Sequence, residues 1–245
     1  TNSRIFSISG CYVYDCHSYI TKQIQGNSGV SVGTFEGASD HALIGECRFV
    51  RTGDSSAANS AAITIGGSHV LVRNTLFVAN ANPRNGVFLM QGHDYENTTA
   101  SFVTCVSTGS GFSTSAGGSK GAIQMGKVIN CIVSGGAPDN SGDGWIAIKS
   151  DHHQYNCVFV DGDSAGKKWM TAGGASASMS ASELMGQDPL FTDPANLDFT
   201  LQSTSPAATA GNAPPGDTFT DMAEVDLSGN NRPGKAWTAY STPAE

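Results

Sequence analysis

Apolar and polar positions recur along this chain in one short phrase that is said five times. Ile44 to Val50 reads I-G-E-C-R-F-V, Val72 to Val78 V-R-N-T-L-F-V, Phe102 to Thr108 F-V-T-C-V-S-T, Val128 to Ser134 V-I-N-C-I-V-S, and Gln154 to Val160 Q-Y-N-C-V-F-V. With Cys47, Thr75, Cys105, Cys131 and Cys157 as the reference position, the steps are 28, 30, 26 and 26 residues, the size of one coil in a repeat protein. An apolar residue stands three before the reference (Ile44, Val72, Phe102, Val128) and another two after it (Phe49, Phe77, Val133, Phe159). Strand side chains alternate between faces, so the reference residue and the one two further on share a face, and stacked coils turn each such position into an interior row.

The residue before the reference is Asn74, Asn130 and Asn156, with Glu46 and Thr104 in the other coils. Asn tolerates left-handed backbone geometry, so this position predicts a tight bend between two short strands. A looser apolar phrase precedes each bend: Val30 to Phe35, Ala62 to Gly67, Val87 to Gly92, Ala122 to Gly126 and Trp145 to Ser150. These read as strands closed by Gly or Ser. Two or three short strands per coil, each parallel to its equivalent in the next, predict an all-β chain wound as a single-stranded right-handed parallel β-helix, a solenoid. A β-sandwich would not need the same phrase in every coil, and a doubly wound sheet would need helical connections where this chain has Gly, Ser and Asn. The expected division is a β-helix over 1–211 with an irregular insertion at 162–187, in which Ser180 or Ser182 would cap a short helix containing Glu183, Leu184 and Met185. A tail or cap over 212–245 would pack on it.

Composition narrows the partners. A net charge of -8 with 13 Lys and Arg argues against nucleic acid, and no apolar run is long enough to insert in a membrane. Four of the six Cys occupy the repeated position as small buried thiols, which leaves Cys11 and Cys16 as the one pair close enough in sequence to invite a disulfide. The chain opens at Thr1 in strand-like sequence with no evident cap, an expectation of a removed leader or a longer parent protein.

The stretch Asp188 to Gly211, D-P-L-F-T-D-P-A-N-L-D-F-T-L-Q-S-T-S-P-A-A-T-A-G, followed by D-L-S-G-N-N-R-P-G at Asp226 to Gly234, resembles the terminal coil and tail of right-handed parallel β-helix proteins of the pectate-lyase-like superfamily. The resemblance implies an extracellular or virion-surface protein that binds polysaccharide. It leaves open whether the chain degrades it, and a non-catalytic structural role at a virion or cell surface is the competing reading. The phage tailspikes in this superfamily are side-by-side trimers, so a homotrimer competes with a monomer.

Candidate chemistry gathers between Asp139 and Lys168. In W-I-A-I-K-S-D-H-H, alternation turns Ile146 and Ile148 inward and Trp145, Ala147 and Lys149 outward, which makes Trp145 a platform for the apolar face of a sugar. Glycan hydrolysis needs two carboxyl groups roughly 5 to 9 Å apart, within reach of residues on neighbouring strands. Asp143, Asp151 and Asp161 are the candidates. A lyase instead needs a base and a cation, for which Lys149 is the catalytic candidate. His152, His153, Lys168 and Trp169 would join Trp145 in binding substrate. No motif implies a cofactor or a metal.

Overall fold

The computed structural model describes residues 5–8, 12–14, 28–32, 41–45, 48–52, 61–65, 70–79, 87–91, 98–107, 121–135, 146–160, 169–170 and 181–211, with side-chain surroundings at 71–78, 98–106, 123–135, 148–159 and 181–211. In chain order the strands are β1 (Ile5–Ile8), β2 (Tyr12–Tyr14), β3 (Ser28–Val32), β4 (His41–Gly45), β5 (Arg48–Thr52), β6 (Ala61–Ile65), β7 (Val70–Ala79), β8 (Val87–Gln91), β9 (Thr99–Ser107) and β10 (Gly121–Gln124). They continue as β11 (Lys127–Ile129), β12 (Ile132–Gly135), β13 (Ile146–Lys149), β14 (His152–Gln154), β15 (Cys157–Val160), β16 (Trp169–Met170), β17 (Leu184–Met185), β18 (Phe191–Asp193) and β19 (Asp198–Leu201). The described residues are all-β, with two parallel sheets and one antiparallel pair.

Both parallel sheets are built by pairing a strand with its equivalent one repeat later. One runs β1-β4-β7-β9-β12-β15-β17, with β2, β5, β11 and β14 joined beside it, and holds the phrase and its bend. The other runs β16-β13-β10-β8-β6-β3 and holds the looser preceding phrase, within three residues of its expected bounds. The expected bend is present. Asn74 and Asn130 adopt positive φ, 42° and 57°, and the chain turns there between two strand halves that β7 spans and that β11 and β12 split.

Register corrects the expected rows. Thr75 lies beside Val103, while Cys105 lies beside Phe77 and Val133, and Cys157 lies beside Ile132. Cys131 therefore comes into line with Val103 and Asn156, so Cys105 and Cys157 do not stack on it, although all three thiols are free and buried. The bend shifts accordingly: Phe102 and Tyr155, each at φ 56°, take the position held by Asn74 and Asn130, and Asn156 does not. A left-handed residue with a Cβ costs roughly 1–2 kcal/mol. Full burial of a Phe contributes about 1.5–3 kcal/mol, and Phe102 is 1 % exposed, so packing outweighs the backbone cost. What aligns the repeats is the buried row Val72, Ala100, Val128 rather than identity of the bend residue.

The expected short helix around Glu183 is not formed. Leu184 and Met185 instead make β17, whose Leu184 N donates to Asn156 O and whose neighbour Gly186, at φ 68°, donates its N–H to Val158 O. A β-pairing edge offered by β15 satisfies these backbone groups better than a single isolated helical turn, which is costly to nucleate.

The strand halves after the bend are buried on both faces. Phe77, Val103, Cys105, Cys131 and Val133 are covered on one side. Leu76, Val78, Val106, Ile132 and Cys157, on the other, form one apolar cluster with Phe191, Phe199, Leu201, Ala207 and Ala208. The segment after β17 thus folds back over the sheet. Its strands β18 and β19 pair antiparallel, and Phe191 meets Phe199 edge to face at 5.3 Å. The turn between them is pinned by Asp193 Oδ1, which accepts from Asn196 N, and by Leu197 at φ 63°. Cys47, Cys11, Cys16 and the tail over 212–245 lie outside the described residues. No helix among the described residues is long and apolar enough to cross a membrane.

Two outcomes test this packing. Cys131→Asp buries a carboxylate without a cation and is expected to destabilise by about 3–5 kcal/mol in urea unfolding, against no change if the side chain were exposed. Burial pushes the Cys131 thiol from its usual 9.0 up to about 12, and burial followed by the Asp188 carboxylate does the same for Cys157. The unfolded chain gives up these protons first. Stability is therefore intact below about pH 9 and is lost as pH rises toward 12, by about 1.4 kcal/mol per unit per thiol. A Cys131→Val variant should show a shallower alkaline decline in Tm.

Candidate functional site

The bend creates a local problem that the side chains around it solve. A left-handed residue interrupts the main-chain ladder, and a buried N–H left without an acceptor is costly. Cys131 N, one residue past the bend at Asn130, donates to Asn156 Oδ1 at 2.9 Å, and Asn156 Nδ2 donates to Val128 O at 3.0 Å. One amide, 1 % exposed, thereby bridges to the preceding repeat on both sides of the bend. Its second Nδ2 proton goes to Glu183 Oε1 at 2.9 Å, in the following repeat.

Glu183 in turn holds His153. The imidazole Nδ1 lies 2.9 Å from Oε1 and 3.0 Å from Oε2, with the two side chains 9 % and 0 % exposed. His153 ends the buried row Val72, Ala100, Val128, and Asn156 and Glu183 follow Val103 and Cys131 in the next row. The interior, apolar through the middle repeats, therefore turns polar where β14 meets the segment entering β17. Tyr155 N donates to Ser182 Oγ at 3.2 Å beside it. A second corner is stitched by hydroxyls: Gly126 N donates to Thr98 Oγ1 at 2.9 Å, and Ser150 Oγ donates to Gly126 O at 2.8 Å.

The predicted site residues separate. His152 and His153 are adjacent in sequence but point oppositely: His152 is exposed and pairs in register with Lys127, whereas His153 belongs to the interior. Asp151 is exposed at the turn into β14. Lys149, on the face of β13 opposite the fully buried Ile148, is only 8 % exposed, beside Gln124 and Met170. Burial lowers its ammonium below the usual 10.5. Such a lysine is nearer to a usable base than an exposed one, while the same burial restricts access by a polymer. Trp169 is placed by its backbone alone, beside Ile148. Asp143, Trp145, Asp161 and Lys168 lie outside the described residues.

Sequence reading missed Glu183 as the partner of His153 and Asn156 as the second donor to Glu183. A candidate helix hid the first, and an assumed bend hid the second. The signal available was one repeat length: Asn156 stands 28 residues from Val128 and 27 from Glu183. Among the described residues, no group of three or more His, Cys, Asp or Glu could hold a metal ion.

Removing Glu183 strands two buried donors, so Glu183→Ala should cost about 3 kcal/mol in urea unfolding. A Glu183→Ala/His153→Ala double variant should lose less than the sum of the single losses, and additivity would show that the two side chains do not act together.

The chain was compared with models of known protein families, with curated proteins and with solved structures, and none of them matches it.

Proposed function

We propose that the repeats wind as one right-handed parallel β-helix of the pectate-lyase-like kind, and that its exterior binds an extracellular polysaccharide. The carrying observation is the strand-on-next-repeat pairing throughout both parallel sheets, which lines up equivalent residues at a spacing of about 4.8 Å from strand to strand. A polymer with its own repeat is the natural ligand for such a surface. The stretch from Asp188 to Gly211, with its resemblance to that superfamily, supports the same reading, as does the sugar-platform character of Trp145 in the sequence.

Binding rather than cleavage is favoured for the described part of the chain. The carboxylate–imidazole pair of Glu183 and His153 is sealed, and Lys149 is covered. Neither presents the open carboxyl pair that glycoside hydrolysis needs. The same sealed pair also favours the second reading, a structural module at a virion or cell surface in which the polar network only secures the last repeat.

An array of acidic and neutral glycans, assayed in parallel for new reducing ends and unsaturated products, separates these readings. The expected result is retention of at least one glycan class, lost in Trp145→Ala, without product. New reducing ends lost in Asp151→Asn would make the protein a hydrolase, and unsaturated ends lost in Lys149→Ala a lyase. No retained glycan at all would leave the structural reading standing.

A further inference from the structure

We infer that the outer face of β9, β11 and β14 is a subsite for an anionic sugar chain, recognised by Lys127 and His152; this rests on the polysaccharide reading above and names its ligand class. The pairing of these strands is regular: Thr99, Lys127 and His152 share one register row, and Ser101, Ile129 and Gln154 the next row but one. Between them lies the interior row of Ala100, Val128 and His153, so both named rows face outward.

Exposure along these outward rows changes from repeat to repeat. Leu71, Arg73 and Ser101 are buried, whereas Lys127, His152 and Gln154 are exposed, with Ile129 half-buried among them. Lys127, His152 and Gln154 also make no side-chain hydrogen bond or ion pair among the described residues, while the neighbouring Asp151 is already engaged. An ammonium and an imidazole in adjacent repeats, beside an amide and an aliphatic floor, provide donors for a carboxylate or sulfate and contact for the ring that carries it. Two nitrogen-bearing side chains in register on neighbouring strands, on a chain of net charge -8, single out this face as one where an anion would meet donors. A chain of sugars lying across the strands would meet Lys127 and His152 at successive strand positions.

The test measures binding of a sulfated glycosaminoglycan, a polyuronate and an uncharged glucan by calorimetry, at low and at physiological salt. The proteins are the full chain and its Lys127→Gln/His152→Gln variant. Both residues are exposed, so the variant should keep the parental Tm and far-ultraviolet circular dichroism. The expected result is preference for one or both anionic polymers, weakened about tenfold or more in the double variant and on addition of salt. Sulfated and carboxylated ligands then identify which anion is read. Equal binding of anionic polymers by parent and variant, or preference for the uncharged glucan, overturns this subsite while leaving polysaccharide binding intact. Binding of none of the three, with no glycan retained on the array either, overturns both.

Discussion

The structure depends on main-chain hydrogen bonding from each repeat to the next, carried past a bend that would otherwise break it. At Asn74, Phe102, Asn130 and Tyr155 the backbone enters the left-handed region, and the ladder must restart one residue later. Where side chains describe the solution, it is polar and local: Thr75 Oγ1 donates to Arg73 O at 2.7 Å across the first of these bends, and the Asn156 amide joins Cys131 N to Val128 O across the third. These groups are fully buried, so each bond removes a desolvation penalty of about 1–3 kcal/mol. A fixed bend in turn fixes which residues of the following strand face inward.

That constraint explains why the strands after the bend are apolar on both faces. One face packs within the parallel repeats; the other would present Leu76, Val78, Val106 and Ile132 to solvent were it not covered by Phe191, Phe199, Leu201, Ala207 and Ala208. The antiparallel pair β18 and β19 is thus a cover for a sheet face. Its own turn, pinned by Asp193 and Leu197, shapes a segment whose apolar residues are useful only in that position. At the end of the parallel stack the interior becomes polar, and the three groups His153, Asn156 and Glu183 satisfy one another. A half-satisfied version of this network would be worse than an apolar core, which makes the network a unit. The network is sealed, and on the same strands side chains such as Lys127 and His152 face solvent instead.

The chain by itself determined the repeat, the two strand phrases within it, the bends at Asn74 and Asn130 and the burial of Cys105, Cys131 and Cys157. All of these follow from alternation and turn chemistry, which act between residues a few positions apart. Tertiary structure decided the rest. Register placed Thr75 beside Val103 rather than Cys105, because buried rows must align even where the residue letters do not. It put Phe102 and Tyr155 into bends that favour Asn, since packing outweighed backbone preference at Phe102. It joined His153 to Glu183, 30 residues away. It also set the hairpin of β18 and β19 over the row of Leu76 and Ile132. Such contacts join residues a repeat or more apart, and no local pattern carries the information about which distant partner will satisfy a buried charge or cover an apolar face.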